Sequence, residues 1–269
     1  MIRDITIGQY YATDSVIHRL DPRVKVVGTL AYLISLFCFN KFSGYIIAAL
    51  FFSILVKISH VPFKFMVKGL KPIMFMLIFT AALNLFWTPG EVVLLKAWVF
   101  TITLEGVKRS VFMALRLTFL IIGSLLMTLT TTPNQLTDAL EKLLKPLNKI
   151  KVPVHEIAMM MSIALRFIPI LVDETDKIMK AQMARGADFE SGNVIQRIKA
   201  MLPILIPLFI SAARRANDLA LAMDARCYHG GEGRTKMKPL KYKKQDVIAY
   251  LTVAAYAVVL GVVVKFSVF

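Results

Sequence analysis

Cysteine and histidine are scarce in this 269-residue chain, with two of the first and four of the second. Cys38 and Cys227 lie far apart, which excludes a disulfide framework and a cysteine-based metal spacing. His18, His60, His155 and His229 fall in different segments without an H-x-x-x-H pair, so no zinc site is expected. No G-x-x-x-x-G-K-[ST] stretch is present. The glycine-rich GGEGRTK (230–236) follows no strand and opens no helix, and reads as linker. Residues 1–15 contain no apolar signal-peptide core, so no cleaved leader is expected. No nucleophile and base stand together, so an enzyme has no support. No carboxylate pair lies within a span, which leaves little for a proton-coupled carrier to use.

What the chain has is apolar length. Hydrophobic residues make up 57% of it, against roughly 45–50% in soluble domains, and they are gathered in runs. The runs lack the period-2 alternation of a barrel. Backbone in lipid must bond to itself, so the fold class is an all-α integral membrane protein. The net charge of +16 follows alternate loops, as the positive-inside bias requires, and needs no nucleic acid. Arg3, Arg19, Arg23 and Lys25 precede the first apolar run. Lys57, Lys64, Lys68 and Lys71 follow the second, and a dense basic set lies between Lys142 and Lys244. The opposite loops hold only Lys41, Lys96, Lys108 and Arg109, with Lys265 near the far end.

Asp21-Pro22 signals a helix start, by a capping carboxylate and a proline at the first helical position. Spans are expected at 24–39, 43–58, 72–87, 110–131 and 247–269. An interfacial amphipathic stretch at 59–72 follows the second, and 92–104, too short to cross, is expected to form an interfacial or re-entrant hairpin. This gives about five transmembrane helices and an inside N-terminus, while a plain hydropathy window would add 157–172 and 201–213, giving seven. Residues 1–132 form a four-span region, 133–245 a cytoplasmic coupling domain of long helices, and 246–269 a last transmembrane helix. Arg116 lies inside the fourth span. It is expected to snorkel to the headgroups or pair with Glu105 or Glu91, although an intramembrane arginine can also mark function.

Within 133–245, Thr132-Pro133 opens an amphipathic helix that runs to about Leu147. Pro153 opens a long helix ending at Arg185, and Val194 begins another ending at Arg226. Pro169 should kink the first of these. Asp173, Glu174 and Asp176 form a candidate cation cluster, though they suit a solvated helix face with Lys177 and Lys180 at i+4. Both long helices end in Ala-x-x-Ala-Arg-x: AQMARG at 181–186 and AMDARC at 222–227. At a helix end the arginine fork reaches carboxylates or carbonyls bidentately, and flanking Ala and Gly let a partner's backbone approach. From the pattern alone, docking and simple attraction to the helix C-terminal dipole both stay open.

DSVIHRLDPRVK (14–25), RFIP (166–169), ARG (184–186) and ARC (225–227) together resemble the transmembrane T component of energy-coupling factor transporters (EcfT, CbiQ type), over essentially the whole chain. The resemblance implies a multi-pass scaffold of the bacterial plasma membrane. It would join two ABC ATPase subunits (EcfA and EcfA' type) to a small membrane S component that captures a vitamin or metal ion. Ala184, Arg185, Gly186, Ala225, Arg226 and Cys227 would then dock the ATPases, which hold ATP and Mg, and this chain would bind no cofactor. Met159, Met160, Ile163, Leu205, Leu208 and Phe209 would seat the S component. Other partners would be membrane lipids. Cys227 stands where the family has Gly, so the second helix is expected to end differently and to fit more loosely. The alternative function is a stand-alone secondary transporter or channel.

Overall fold

The computed structural model describes residues 10–89, 93–97, 100–189, 193–231, 237 and 239–266. Among them the regular structure is helical apart from one two-stranded hairpin. Two compact units arise. One holds Gly8–Ala139 with Leu240–Phe269, the other Leu140–Pro239.

The first unit begins with the short α1 (Val16–Arg19), α2 (Pro22–Ser35) and α3 (Phe42–Ser59). Then come α4 (Phe63–Leu70), a 3-10 turn at Lys71–Ile73, and α5 (Met74–Trp87). Strands β1 (Val93–Ala97) and β2 (Phe100–Thr103) pair antiparallel, so the expected hairpin at 92–104 is a β-hairpin. Next are α6 (Leu104–Thr130) and the start of α7 (Pro133–Leu144). The chain returns to this unit as α10 (Lys244–Phe266). Its core joins Tyr32, Leu36 and Phe39 to Tyr45, Ala48 and Phe52 of α3, Leu126 of α6 and Tyr256 of α10. Gly123 lets α2 approach α6 closely, since a Cβ there would stand 2.8 Å from the Tyr32 ring.

Among the described residues five helices are long and apolar enough to cross a membrane: α3, the rod Phe63–Trp87, α6, α8 (Val154–Ala184) and α10 up to Lys265. The number agrees with the sequence and the membership differs. The expected first span at 24–39 is a 14-residue helix followed by a turn, only about 21 Å long. Helix α8 supplies the fifth by length and composition. Its Pro169 lies inside an unbroken helix assignment. Glu91, residues 190–192 of the loop after α8, and most of the glycine-rich linker lie outside the described residues.

One end of the first unit is tied by polar groups. Asp21 caps α2, with its carboxylate accepting from the Arg23 backbone at 2.9 Å and from the Arg23 guanidinium at 3.0 and 2.8 Å. Arg23 stacks on Tyr242, 3.8 Å from the ring centroid. Asp246, 1% exposed, accepts from the backbone N–H groups of Asp21 and Lys243 at 2.8 and 2.6 Å. One carboxylate thus caps α10 and holds a residue 225 positions away. Lys25 Nζ donates to the carbonyls of His18 and Thr130, and the Tyr11 N–H donates to the carbonyl of Leu129. At the other end, Arg116 Nη2 donates to the Phe39 carbonyl at 3.0 Å and to Asn40 Oδ1 at 2.6 Å. Arg116 therefore closes the turn after α2. Among the described residues it makes no ion pair with Glu105.

His18 sits between Ser15 Oγ, 2.7 Å from Nδ1, and the Tyr11 carbonyl, 3.1 Å from Nε2. Burial and the nearby Lys25 ammonium hold its pKa below the ordinary value. Burial also opposes the Asp21 carboxylate, but the bonds from Arg23 outweigh it and hold that pKa down. A depressed histidine pKa means the unfolded chain takes up the proton first. Its stabilisation is complete above about pH 6.5 and is lost as pH falls below that value. Asp21 loses its contribution only in stronger acid, below about pH 4. The melting temperature of the protein in detergent should be level from pH 8 to 7 and fall between pH 6.5 and 5. His18→Gln should remove the fall in that window. A decline of the same size in the variant would show that His18 is not its source.

Candidate docking site

The second unit is built on α8 and α9 (Val194–Asp224), each of 31 residues. Thr132 and Gln135 form a reciprocal capping box at the start of α7, with bonds of 3.3 and 3.2 Å. After α7 a 3-10 turn at Lys145–Ile150 leads to α8, whose His155 Nδ1 lies 3.0 Å from Glu141. Glu174 of α8 then accepts from Ser211 Oγ at 2.5 Å and from Arg215 Nη2 at 3.0 Å, both on α9. Gln182 Nε2 reaches the Pro203 carbonyl at 3.5 Å. As the α8 number falls from 182 to 174, its partner on α9 rises from 203 to 211, so the helices run antiparallel. Glu174, one of the three candidate cation ligands, is committed to this cross-helix contact. Among the described residues no three His, Cys, Asp or Glu side chains converge.

Both long helices stop in the same way. Ala184 is the last residue of α8, and Arg185 is its C-cap. The Ala187 N–H donates to the Gln182 carbonyl and the Gly186 N–H to the Met183 carbonyl, both at 3.0 Å, with Gly186 at φ 86°. This is the Schellman pair of six-to-one and five-to-two bonds around a left-handed residue. At the end of α9, the Tyr228 N–H donates to Met223 at 3.1 Å and the Cys227 N–H to Asp224 at 2.9 Å, with Cys227 at φ 54°. The hydrogen-bond pattern is identical, offset by 41 residues. The expectation that Cys227 changes the helix end is thus corrected. The two bonds hold the backbone in the left-handed region despite the Cβ, at about 1–3 kcal/mol of local strain.

All six motif residues, Ala184, Arg185, Gly186, Ala225, Arg226 and Cys227, are exposed. The backbone bonds take the carbonyls of Gln182 and Met183, and of Met223 and Asp224, without either arginine. The antiparallel pairing sends the two arginines in opposite directions. Arg185 stands just past the Gln182 contact, and Arg226 stands eleven residues past the Arg215 contact, toward the start of α8. The two are about 35 Å apart along the pair. The six apolar residues expected to seat a small membrane protein do not form one cluster. Leu205, Leu208 and Phe209 lie beside the α8 contacts of α9. Met159, Met160 and Ile163 lie about 20 Å nearer the start of α8. Met160, Leu205 and Phe209 are exposed and the other three half-buried.

A family model described as cobalt transport protein (CbiQ) matches residues 13–237. The chain is 59% identical over 252 residues to a protein of Clostridium kluyveri, covering 93% of each. It is 56% identical over 249 residues to one of Ruminiclostridium cellulolyticum, covering 92% of each. To one of Bacillus subtilis it is 45% identical over 260 residues, covering 97% of this chain and 98% of that one. All three are named energy-coupling factor transporter transmembrane protein EcfT.

The chain belongs to this family of transmembrane transport components. It is a multi-pass protein of the cell membrane. The EcfT family resemblance carried by residues 14–25, 166–169 and the two Ala-Arg motifs therefore stands. Sequence reading missed the Asp21–Asp246 and Glu174–Ser211–Arg215 contacts, which link positions far apart in the chain.

The two left-handed residues differ in cost. No heavy atom lies within 4 Å of a Cβ built on Gly186, so Gly186→Ala should destabilise the unit by conformation alone, by about 1 kcal/mol. Cys227→Gly should gain a similar amount. Hydrogen exchange at the Ala187 and Tyr228 amides reads both, with faster exchange expected in the first variant and slower in the second. Unchanged exchange at Tyr228 in Cys227→Gly would refute the strain.

Proposed function

We propose that this chain is the coupling subunit of an energy-coupling factor importer, passing the motion of two ATPase subunits to a substrate-capturing S component. The observation that carries the reading is the pair of identical helix ends, each offering one uncommitted arginine, directed oppositely on a single antiparallel helix pair. Two equivalent arms suit two ATPase subunits related by a two-fold or near two-fold axis, one arginine entering a groove on each. A guanidinium there meets carboxylate or carbonyl oxygens bidentately. When ATP draws the ATPases together, both ends are pulled at once, and the Glu174 contact holds α8 and α9 together so that their apolar faces move as one.

Those faces support the second half of the reading. Met160, Leu205, Ile206 and Phe209 are 57, 51, 58 and 75% exposed, more apolar surface than water tolerates on a soluble unit. They would seat the S component across two patches, with methionine able to repack as it tilts. In this reading ATP and Mg are held by the ATPases, this chain is non-catalytic, and substrate choice lies with the S component. A stand-alone transporter would need intramembrane charges to spare. Arg116, the candidate noted in the sequence, is occupied in closing the turn after α2.

Arg185→Ala and Arg226→Ala should each weaken co-purification with the ATPases, on the order of thirtyfold if each arginine is a docking hot spot. The double variant should lose ATP-dependent uptake while still folding in the membrane. Full assembly and uptake by the double variant would end the docking role. Uptake by the purified chain alone, without ATP, would transfer the function to a secondary transporter.

A further inference from the structure

The end of the first unit opposite Asp246 carries a second basic site. Lys108, Arg109 and Arg116 of α6, with Asn84 of α5 and Asn40 after α2, line an open cavity of about 730 Å³. Glu105 is the one carboxylate among the lining residues. None of the three cations makes an ion pair among the described residues. Among the described residues Arg116 bonds its own chain only through Nη2, leaving the Nη1 edge for a ligand. Asn84 donates its amide N–H to the Thr80 carbonyl, so its Oδ1 remains an acceptor. The remaining wall is apolar, from Phe112 and Met113. Trp87, next to the rim residue Thr88, is 81% exposed, as suits a side chain at a membrane interface.

The volume falls in the ~300–1,000 Å³ range of small-molecule sites. Clustered cations at helix ends favour phosphate, and arginine bonds it bidentately. A free inorganic anion would gain nothing from an apolar wall, whereas a lipid lays its acyl chains along one. We propose that this cavity binds the phosphodiester headgroup of an anionic phospholipid of the phosphatidylglycerol kind. Lys108, Arg109 and the Arg116 Nη1 edge hold the phosphate, and Asn84 Oδ1 accepts from a glycerol hydroxyl. The site requires the membrane, and it is independent of the docking role of Arg185 and Arg226.

Trp98→Phe leaves Trp87 as the single tryptophan, because the chain has two. This protein would be reconstituted in phosphatidylcholine vesicles containing increasing brominated phosphatidylglycerol or, in parallel, brominated phosphatidylcholine. Trp87 should be quenched preferentially by the glycerol lipid, by roughly fivefold in relative association constant. The added changes Lys108→Gln and Arg109→Gln should bring the ratio toward one, and Lys108→Arg with Arg109→Lys should keep it. Millimolar inorganic phosphate at constant ionic strength should leave it unchanged. Equal quenching by the two lipids, or a preference that survives neutralisation, would overturn the site. Abolition by phosphate would assign the cavity to the free anion and overturn the lipid.

Discussion

Backbone groups in a bilayer have no water to bond, and this constraint decides where the chain spends its few polar side chains. Helix interiors satisfy themselves. Their ends do not, and the described contacts of Asp21, Lys25, Arg116 and Asp246 in the first unit fall there. Asp21, Asp246 and Thr103 accept from backbone N–H groups at helix starts. Lys25 and Arg116 donate to carbonyls at Thr130 and Phe39. Three of these groups also tie one segment to another: Asp246 fixes α10 against the entry to α2, Lys25 joins α2 to the end of α6, and Arg116 joins α6 to the turn after α2.

The long helices of the second unit meet the same requirement without charge. Their final carbonyls are taken by N–H groups of the following residues, around Gly186 and Cys227. The arginine at each cap is thereby released, on a backbone already fixed by two hydrogen bonds. A side chain held on an ordered base loses less entropy on binding than one on a frayed end. This separates Arg185 and Arg226 from Arg215, which is as cationic and is spent on Glu174. It also accounts for the short residues beside them, since Ala184 and Ala225 leave the approach to the helix end open.

Local chemistry was legible in the sequence, and distant pairing was not. Pro153, Gly186 and the Asp21-Pro22 and Thr132-Pro133 pairs mark helix ends through bonds to residues two to five positions away. The limits read for α8 and α9 accordingly lie within two residues of those observed. The repeated Ala-Arg pattern identified the candidate arms for the same reason. The antiparallel contact that separates them depends on Glu174 meeting Ser211 and Arg215, and no local signal announces it. Cys227 was misread because residue preference for positive φ is a matter of about 1 kcal/mol, less than the two backbone bonds that impose the conformation. The 24–39 run looked like a span because apolar content was counted without the turn at 36–38.

Length and charge together limit how α8 can meet the membrane. At 31 residues it is about 46 Å long, against a hydrocarbon core of roughly 30 Å. Its apolar window lies toward the start, and residues 173–180 carry Asp173, Glu174, Asp176, Lys177 and Lys180. Carrying Glu174 into lipid would take Ser211 and Arg215 with it, because their bonds cannot be replaced there. Arg214 and Asp218, within a turn of Arg215, would follow. The antiparallel pair therefore enters or leaves the apolar layer as one body, with depth set where charge begins on both helices. In the coupling role proposed above, a force applied at Arg185 or Arg226 would act on a pair that tilts as a unit, and tilt is the motion that a partner seated on the exposed apolar faces would receive.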